Sequence, residues 1–531
     1  MLFIMVSLLI GGTVWAGGDQ DGSSSQAGGA VKWADGETLP ITRANLTADL
    51  ALPIAPEMYE MRVAFQTKHQ NRPMEEYEQM KYIAKQTNIS PIWETLDRGK
   101  WPEFEPSIFA SGSNLPDVVE IHSPSLRWSY AQAGYILPLD ELINDFAPDL
   151  KHLLDMRPIE RKLMTYPDGK IYSIPRLNDN RFEIYAFGVI DAHLTALNMS
   201  VPQDFDDLVK LAKAIVTGDP DGDGKVNQTV FRNQSGGPTF IDHLGIFYGF
   251  MRDDWRLIDG KMKFSAATDK YKDLITEVKR WYDEGLVTQL MFDDVEAWKA
   301  LGETMTIEYS RAMTGDQRSM IPHNNDVYGD PIIPYRGKCY YPDRSWTITK
   351  DADNPEYAIK WLSYITANYN GNFEWTWGVP EEDWTWKDGV LYGVWGNPPP
   401  NDEWAAQQAA IYEKRKETEA ASYYDQRRAG AQFVDGQVSG ANLIARNREN
   451  LAQVQDTAQL QWAFPMFTDD EQALADDWQV PADYIAEMMN KFVTGAEPLA
   501  NWDVYVDQLK KFGLDSWEEA HQSAYDRFMS F

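Results

Sequence analysis

Cysteine is almost absent from this chain of 531 residues: Cys339 stands alone. That excludes an intramolecular disulfide and any paired-cysteine metal or redox motif, so the fold must stand on its apolar cores, with Cys339 reading as a small packed side chain. Cations are scarce as well. Lys and Arg number 49 against 81 Asp and Glu, a formal net charge of -32, which argues against a nucleic-acid partner held by clustered basic side chains. The acidity reads as solubility, because net charge is silent on the charge inside a cleft. Long apolar runs are missing beyond residues 1–16, and the mean hydropathy is -0.48, which excludes a polytopic membrane protein. The seven His are scattered without metal-ligand spacing, and no HExxH, paired CxxC or G-x-S-x-G occurs. A secreted glycoside hydrolase stays open, since it needs only two carboxylates across a scissile bond.

What is present is ample core material: 43% of the residues are hydrophobic. A chain of this length exceeds what one core supports, so two lobes are expected. Residues 1–16, MLFIMVSLLIGGTVWA, read as a signal peptide with small residues at its end, although no basic residue precedes the apolar run. The Gly/Ser-rich residues 17–29 open a flexible tether and lead-in that extends to residue 57. The expected location is therefore outside the cytoplasm, periplasmic or extracellular, and with Cys339 so far from the leader a lipid anchor is not expected.

Strands are predicted over residues 60–65, 90–94 and 115–121, the last a β-branched run suited to a buried parallel strand, and again over 169–175. Helical spacing marks residues 75–86, 205–215, 271–283, 481–493 and 517–528, with Gly285 as a stop signal. Alternating strands and helices imply an α/β sheet, in which ligands bind beyond the carboxyl ends of the strands. The segment 122–130, HSPSLRWSY, is predicted to be a loop at such an end. His122 is singled out there, with an ordinary surface role equally open.

Several stretches resemble the extracellular solute-binding proteins of family 1, the sugar and oligosaccharide receptors of ABC importers. They are LPDVV at 115–119, GYILPLD at 134–140, DGKIYSIP at 168–175, DPDGDG at 219–224, WYDEGLV at 281–287, NPEYAIKWL at 354–362, KFVTG at 491–495 and WDVY at 502–505. The resemblance covers roughly residues 58–528. It implies a two-lobed α/β periplasmic-binding-protein fold with several hinge crossovers and a helical C-terminal extension, closing on a carbohydrate. The implied partners are that sugar and the permease subunits of an ABC transporter, for a chain working as a monomer and not as an enzyme. A binding protein for a peptide or another solute shares the architecture and stays open. The family's Arg-Lys-Asp-Trp-Leu-like segment is replaced by VIDAHL at 189–194, so no ligand-binding arginine is expected there.

Strand order places crossovers near residues 176–186, 304–312 and 342–349. The expected N-lobe is residues 58–178 plus 308–344, and the C-lobe 179–307 plus 345–531. A closing cleft draws contacts from both lobes, so His122, Trp128, Arg181, Glu308, Tyr309, Arg344 and Trp346 are the expected ligand residues. Trp128 and Trp346 would stack on sugar rings, whereas the tryptophans of residues 375–404 are expected mainly in the core. Asp219, Asp221 and Asp223, with the Lys225 carbonyl and Asn227, match the opening of an EF-hand-type calcium loop, although Val230 stands where the bidentate Glu belongs. An Asp/Gly-rich turn that binds nothing is the alternative.

Overall fold

The computed structural model describes residues 46–531 apart from 68–72, 98, 178–185, 203, 227, 232–240, 242–243, 249–254, 259, 288–304, 311–316, 321–332, 336–339, 383, 388–389, 394–457, 461–465, 482 and 531. The first elements are β1 (Tyr59–Thr67), α1 (Glu78–Thr87), β2 (Ile89–Asp97), α2 (Trp101–Phe109), β3 (Val118–Ile121), α3 (Pro124–Gln132), α4 (Asp140–Phe146), α5 (Pro148–Asp155), α6 (Pro158–Leu163) and β4 (Ile174–Leu177). There follow β5 (Ala186–Ile190), α7 (Asp191–Ala196), α8 (Phe205–Thr217), β6 (Thr229–Phe231), β7 (Trp255–Ile258), β8 (Lys261–Phe264), α9 (Asp269–Asp283), β9 (Met305–Ser310) and β10 (Gln317–Met320). Next come β11 (Ile333–Tyr335), β12 (Tyr340–Ile348), α10 (Pro355–Thr366), α11 (Gly371–Trp377), β13 (Trp384–Lys387), β14 (Val390–Gly393) and β15 (Ala458–Leu460). Helices α12 (Asp469–Ala475), α13 (Tyr484–Thr494), α14 (Trp502–Lys511) and α15 (Leu514–Ser530) end the chain.

Two sheets define two lobes. The first has the order β2-β1-β3-β12-β4, with β1 parallel to β2 and β3 and β12 antiparallel to β3 and β4. The β1 residues Met61, Val63 and Phe65 join a core with Trp346, Trp361 and Trp375, while Ala64 joins another with Trp101, Val119 and Ile121. Both faces of the strand are therefore covered, as a parallel strand requires. Each such large apolar side chain contributes about 1.5–3 kcal/mol on burial. The second sheet has the order β10-β5-β9-β6. Helix α8 packs against β6, and α9 shares the core of this lobe, capped by the Thr268 hydroxyl, which accepts the Tyr271 N–H. On α9, Tyr271, Leu274, Ile275, Val278 and Trp281 form the buried stripe, and Gly285 (φ +75°) ends it in the left-handed conformation.

The assignment of segments to lobes departs from the expectation. Strands β9 and β10 belong to the second sheet, whereas β12 joins the first, and Ala358, Ile359, Trp361 and Trp375 of α10 and α11 fill the first core. Residues 308–310 and 317–320 thus sit with the second lobe and 345–377 with the first, the reverse of the boundaries drawn at 308–344 and 345–531. The chain changes sheet between Leu177 and Ala186, where a crossover was expected, and again between Met320 and Tyr340. The stretches near 304–312 and 342–349 are instead interior strands, because β9 pairs with both β5 and β6 and β12 with both β3 and β4. Part of the expected tether is packed too: Leu50, Ile54 and Ala55 are in the first core, and Asp149 accepts the Thr47 hydroxyl and the Asp49 N–H.

The last helix touches both lobes. Near its start, the Glu518 carboxylate accepts the Phe264 N–H, and the Gln522 carbonyl accepts the Met262 N–H of β8. Near its end, Phe528 is in the first core, with the Lys162 ammonium over its ring at 5.7 Å.

Candidate functional site

The carboxyl ends of β1 and β3 meet in a cluster of buried polar side chains. Gln66 Nε2 donates to Glu120 Oε1 at 2.9 Å and lies 3.4 Å from His122 Nδ1. The segment 122–130 is not a loop beyond its first two residues. Ser123 caps α3 by accepting the Leu126 N–H, and Pro124 occupies the first turn, where its missing donor costs nothing. His122 therefore precedes the helix and Trp128 stands on it. Both are partly exposed.

Trp128 rests on Tyr166, ring centroids 5.8 Å apart and planes 28° from parallel. Tyr172 meets Tyr166 edge-on at 5.5 Å. The Tyr166 hydroxyl accepts from Arg127 Nε at 2.9 Å, and Arg127 Nη1 donates to the Ile121 carbonyl at 2.6 Å. Glu105 of α2 accepts the His122 N–H at 2.7 Å. Burial pushes the Glu105 carboxyl up, against the lowering pull of the His122 N–H, Arg127 and Trp101. It likewise raises the Tyr130 phenol, with a smaller push from Glu105. Among the described residues, Gln66 Oε1 and Trp128 Nε1 are buried with no hydrogen-bond partner. Such atoms cost about 1–3 kcal/mol each while they lack a partner.

Trp346 is a correction. Its side chain is fully buried, with Phe65 at 5.6 Å and Trp361 and Trp375 each at 6.4 Å, so no ring face is left for a sugar. Its strand is interior, and an indole on an interior strand is core material. Trp375 is core, as expected. Glu308 and Tyr309 lie on β9 and Arg344 on β12, with their side chains outside the described residues, as is Arg181 altogether. His122 and Trp128 flank and stand on α3 at the end of β3, with Gln66 and Glu105 bonded to His122 and Tyr166 and Arg127 behind Trp128, four residues that sequence reasoning missed. The Ser-Pro pair at 123–124 was the one signal for the helix; nothing local marks the other four.

The acidic loop lies apart from this cluster, between α8 and β6. Carboxylate oxygens of Asp219, Asp221 and Asp223 all lie within 4.8 Å of one another. Gly222 (φ +74°) and Gly224 (φ +82°) supply the left-handed turns. Asp219 accepts the Asp223 and Gly224 N–H groups, Gln228 Nε2 donates to Asp221, and the Lys225 ammonium pairs with Asp223 at 3.3 Å. The donor set fits a hard cation, with Lys225 supplying positive charge beside it. Val230, at the twelfth position, is buried and carries no donor there. Asn227 lies outside the described residues.

Residues 73–372 match the family model described as bacterial extracellular solute-binding protein. A fructooligosaccharide ABC transporter substrate-binding protein, FusA, of Streptococcus pneumoniae is 24% identical over 515 residues, 86% of this chain and 92% of that protein. A polygalacturonan/rhamnogalacturonan-binding protein of Bacillus subtilis, YtcQ, is 28% identical over 181 residues, 34% of this chain and 35% of the relative. Among solved structures, S. pneumoniae FusA in complex with kestose superposes with a TM-score of 0.64 at 20% identity, covering 89% of this chain and 100% of that one. The alginate-binding protein AlgQ2 without calcium ion gives 0.61 at 21% identity, covering 90% and 100%. These structures share the two-lobed α/β fold. With more than half of its length matched by the family model, the chain belongs to the bacterial extracellular solute-binding proteins.

Proposed function

We propose that this protein is the extracytoplasmic substrate-binding subunit of an ABC importer and encloses an oligosaccharide between its lobes. The observation that carries the reading is Trp128, partly exposed and resting on Tyr166, on the helix that follows the carboxyl end of β3. An indole face packs on the C–H face of a pyranose or furanose, and neighbouring donors and acceptors take its hydroxyls. The relatives named for fructooligosaccharide and polygalacturonan support the sugar class. Arg181, Glu308, Tyr309 and Arg344 stay in the proposed ligand set, and Trp346 leaves it. Asp219, Asp221 and Asp223, with the Lys225 carbonyl and Asn227, form the proposed calcium site, structural in role. The fit of the three carboxylates supports it, as does a solved relative described as an EF-hand mutant.

Isothermal calorimetry with kestose, nystose, oligogalacturonate and alginate oligosaccharides tests the reading. Binding of one of them at micromolar Kd or tighter, with the sugar recovered intact, is the expected result. Hydrolysis of the sugar would make the protein a glycosidase instead, and silence across the panel with binding of a peptide would assign it to another solute class.

A further inference from the structure

One peptide unit at the candidate site is held at both poles by opposite charges. The carbonyl of Ile121 accepts from Arg127 Nη1 at 2.6 Å, and the N–H of the next residue, His122, donates to Glu105 Oε2 at 2.7 Å. Both charged residues are fully buried. A buried cation and anion persist when each is hydrogen-bonded and near the other, and here the backbone dipole of a single peptide lies between them. The guanidinium has a second task. Its Nε donates to the Tyr166 hydroxyl at 2.9 Å, and that ring is the one beneath Trp128. Arg127 and Trp128 are sequence neighbours on α3, so the same helix turn presents the indole and anchors what supports it.

We propose that Glu105 and Arg127 are positioning residues for ligand capture, fixing the Ile121–His122 peptide between them while Arg127 locks the Tyr166 ring that backs Trp128. The inference rests on the assignment of His122 and Trp128 to the ligand site. Neither charged side chain contacts ligand in this role. They hold the strand end in register, so that His122 and the indole meet a sugar without reorganising. A site with its supporting groups preorganised loses affinity when they are loosened, even if its contact residues are intact.

The test combines amide exchange of the ligand-free protein over residues 118–130 with calorimetric titration of kestose. Arg127→Met should raise exchange in that segment about tenfold and weaken kestose binding by a similar factor. Arg127→Lys, which keeps the charge but not the planar fork of donors, should recover part of both. If Arg127→Met does not fold, Tyr166→Phe removes the hydroxyl alone and should still weaken binding several-fold. Parent-like binding in Arg127→Met and Tyr166→Phe overturns the proposal. So does equal loss in the Met and Lys variants in proportion to their melting temperatures, which is the signature of a purely structural pair. A parent protein that binds none of the sugars in the panel overturns the functional reading itself and the positioning role with it. Normal binding by the parent beside unaffected variants overturns the positioning role alone.

Discussion

Arg527 of α15 and Glu471 of α12 meet at 2.7 Å across 56 residues of chain. The carboxylate also accepts the Ser523 hydroxyl at 2.9 Å and closes the capping box of α12 by accepting the Thr468 N–H at 2.8 Å. Burial would raise the Glu471 carboxyl, but Arg527, the Thr468 N–H and Ser523 together hold it below its ordinary value. Its stabilisation is present above the unfolded-state value and is lost as pH falls through the lower folded one. Arg527→Met leaves this carboxylate nearly buried without its cation. The expected cost is about 3 kcal/mol, read from urea unfolding at pH 7. An unchanged midpoint would mean that α15 is held to α12 by packing alone.

His521, on the same helix, hydrogen-bonds the Trp517 carbonyl through Nδ1 at 2.8 Å and meets the Phe467 and Trp517 rings edge-on. Burial pushes its pKa down to about 4, with the carbonyl bond opposing. The folded state thus favours neutral imidazole. Its contribution is complete above pH ~6.5 and declines as pH falls toward about 4, by up to about 3 kcal/mol. Thermal melts from pH 7 to pH 4 should show this decline, and His521→Phe should flatten it. A variant with the parent's pH slope would place the sensitivity elsewhere.

Trp128 and Trp346 should separate binding from stability. Trp346→Ala removes a fully buried indole from the first core and is expected to cost about 3–5 kcal/mol in unfolding free energy. Trp128→Ala, on a partly exposed position, should melt close to the parent and bind kestose or nystose roughly tenfold more weakly. A variant pair in which Trp346→Ala alone weakens binding at unchanged stability would move the site to the interior of the first sheet.

Calcium should raise the melting temperature and chelator should lower it, since an ion that binds only the folded chain stabilises by about 2.7 kcal/mol at a hundredfold excess over Kd. Asp221→Asn should remove most of the difference. Equal melts with and without chelator, together with no bound metal on elemental analysis, would leave the loop as a turn closed by its own N–H groups and Lys225.

The fold class was legible because periodicity and turn chemistry are local. The alternation of Met61, Val63 and Phe65 with Ala64, the apolar stripe of α9 ended by Gly285, and the spaced acids at 219–223 each declare a conformation within a few residues. Lobe membership was not. Whether a β-branched run such as β9 crosses between sheets or lies inside one depends on which strands pair with it, and pairing partners are tens to hundreds of residues away. The buried indole of Trp346 and the partly exposed one of Trp128 are chemically identical in sequence, each flanked by polar residues; only their neighbours in space tell core from site.

By itself, then, the sequence determined the α/β class, helices α1, α8, α9, α13 and α15, strands β1, β2 and β3, the spaced acids of the 219–223 turn and the family. The tertiary structure decided that residues 345–377 build the first lobe and 305–310 with 317–320 the second, and that Trp346 is core. It alone brought Glu105, Arg127 and Tyr166 to the end of β3. The reason is that conformational preference is written in short windows of chain, whereas burial and charge pairing arise from contacts whose closure entropy is offset only when the whole core forms.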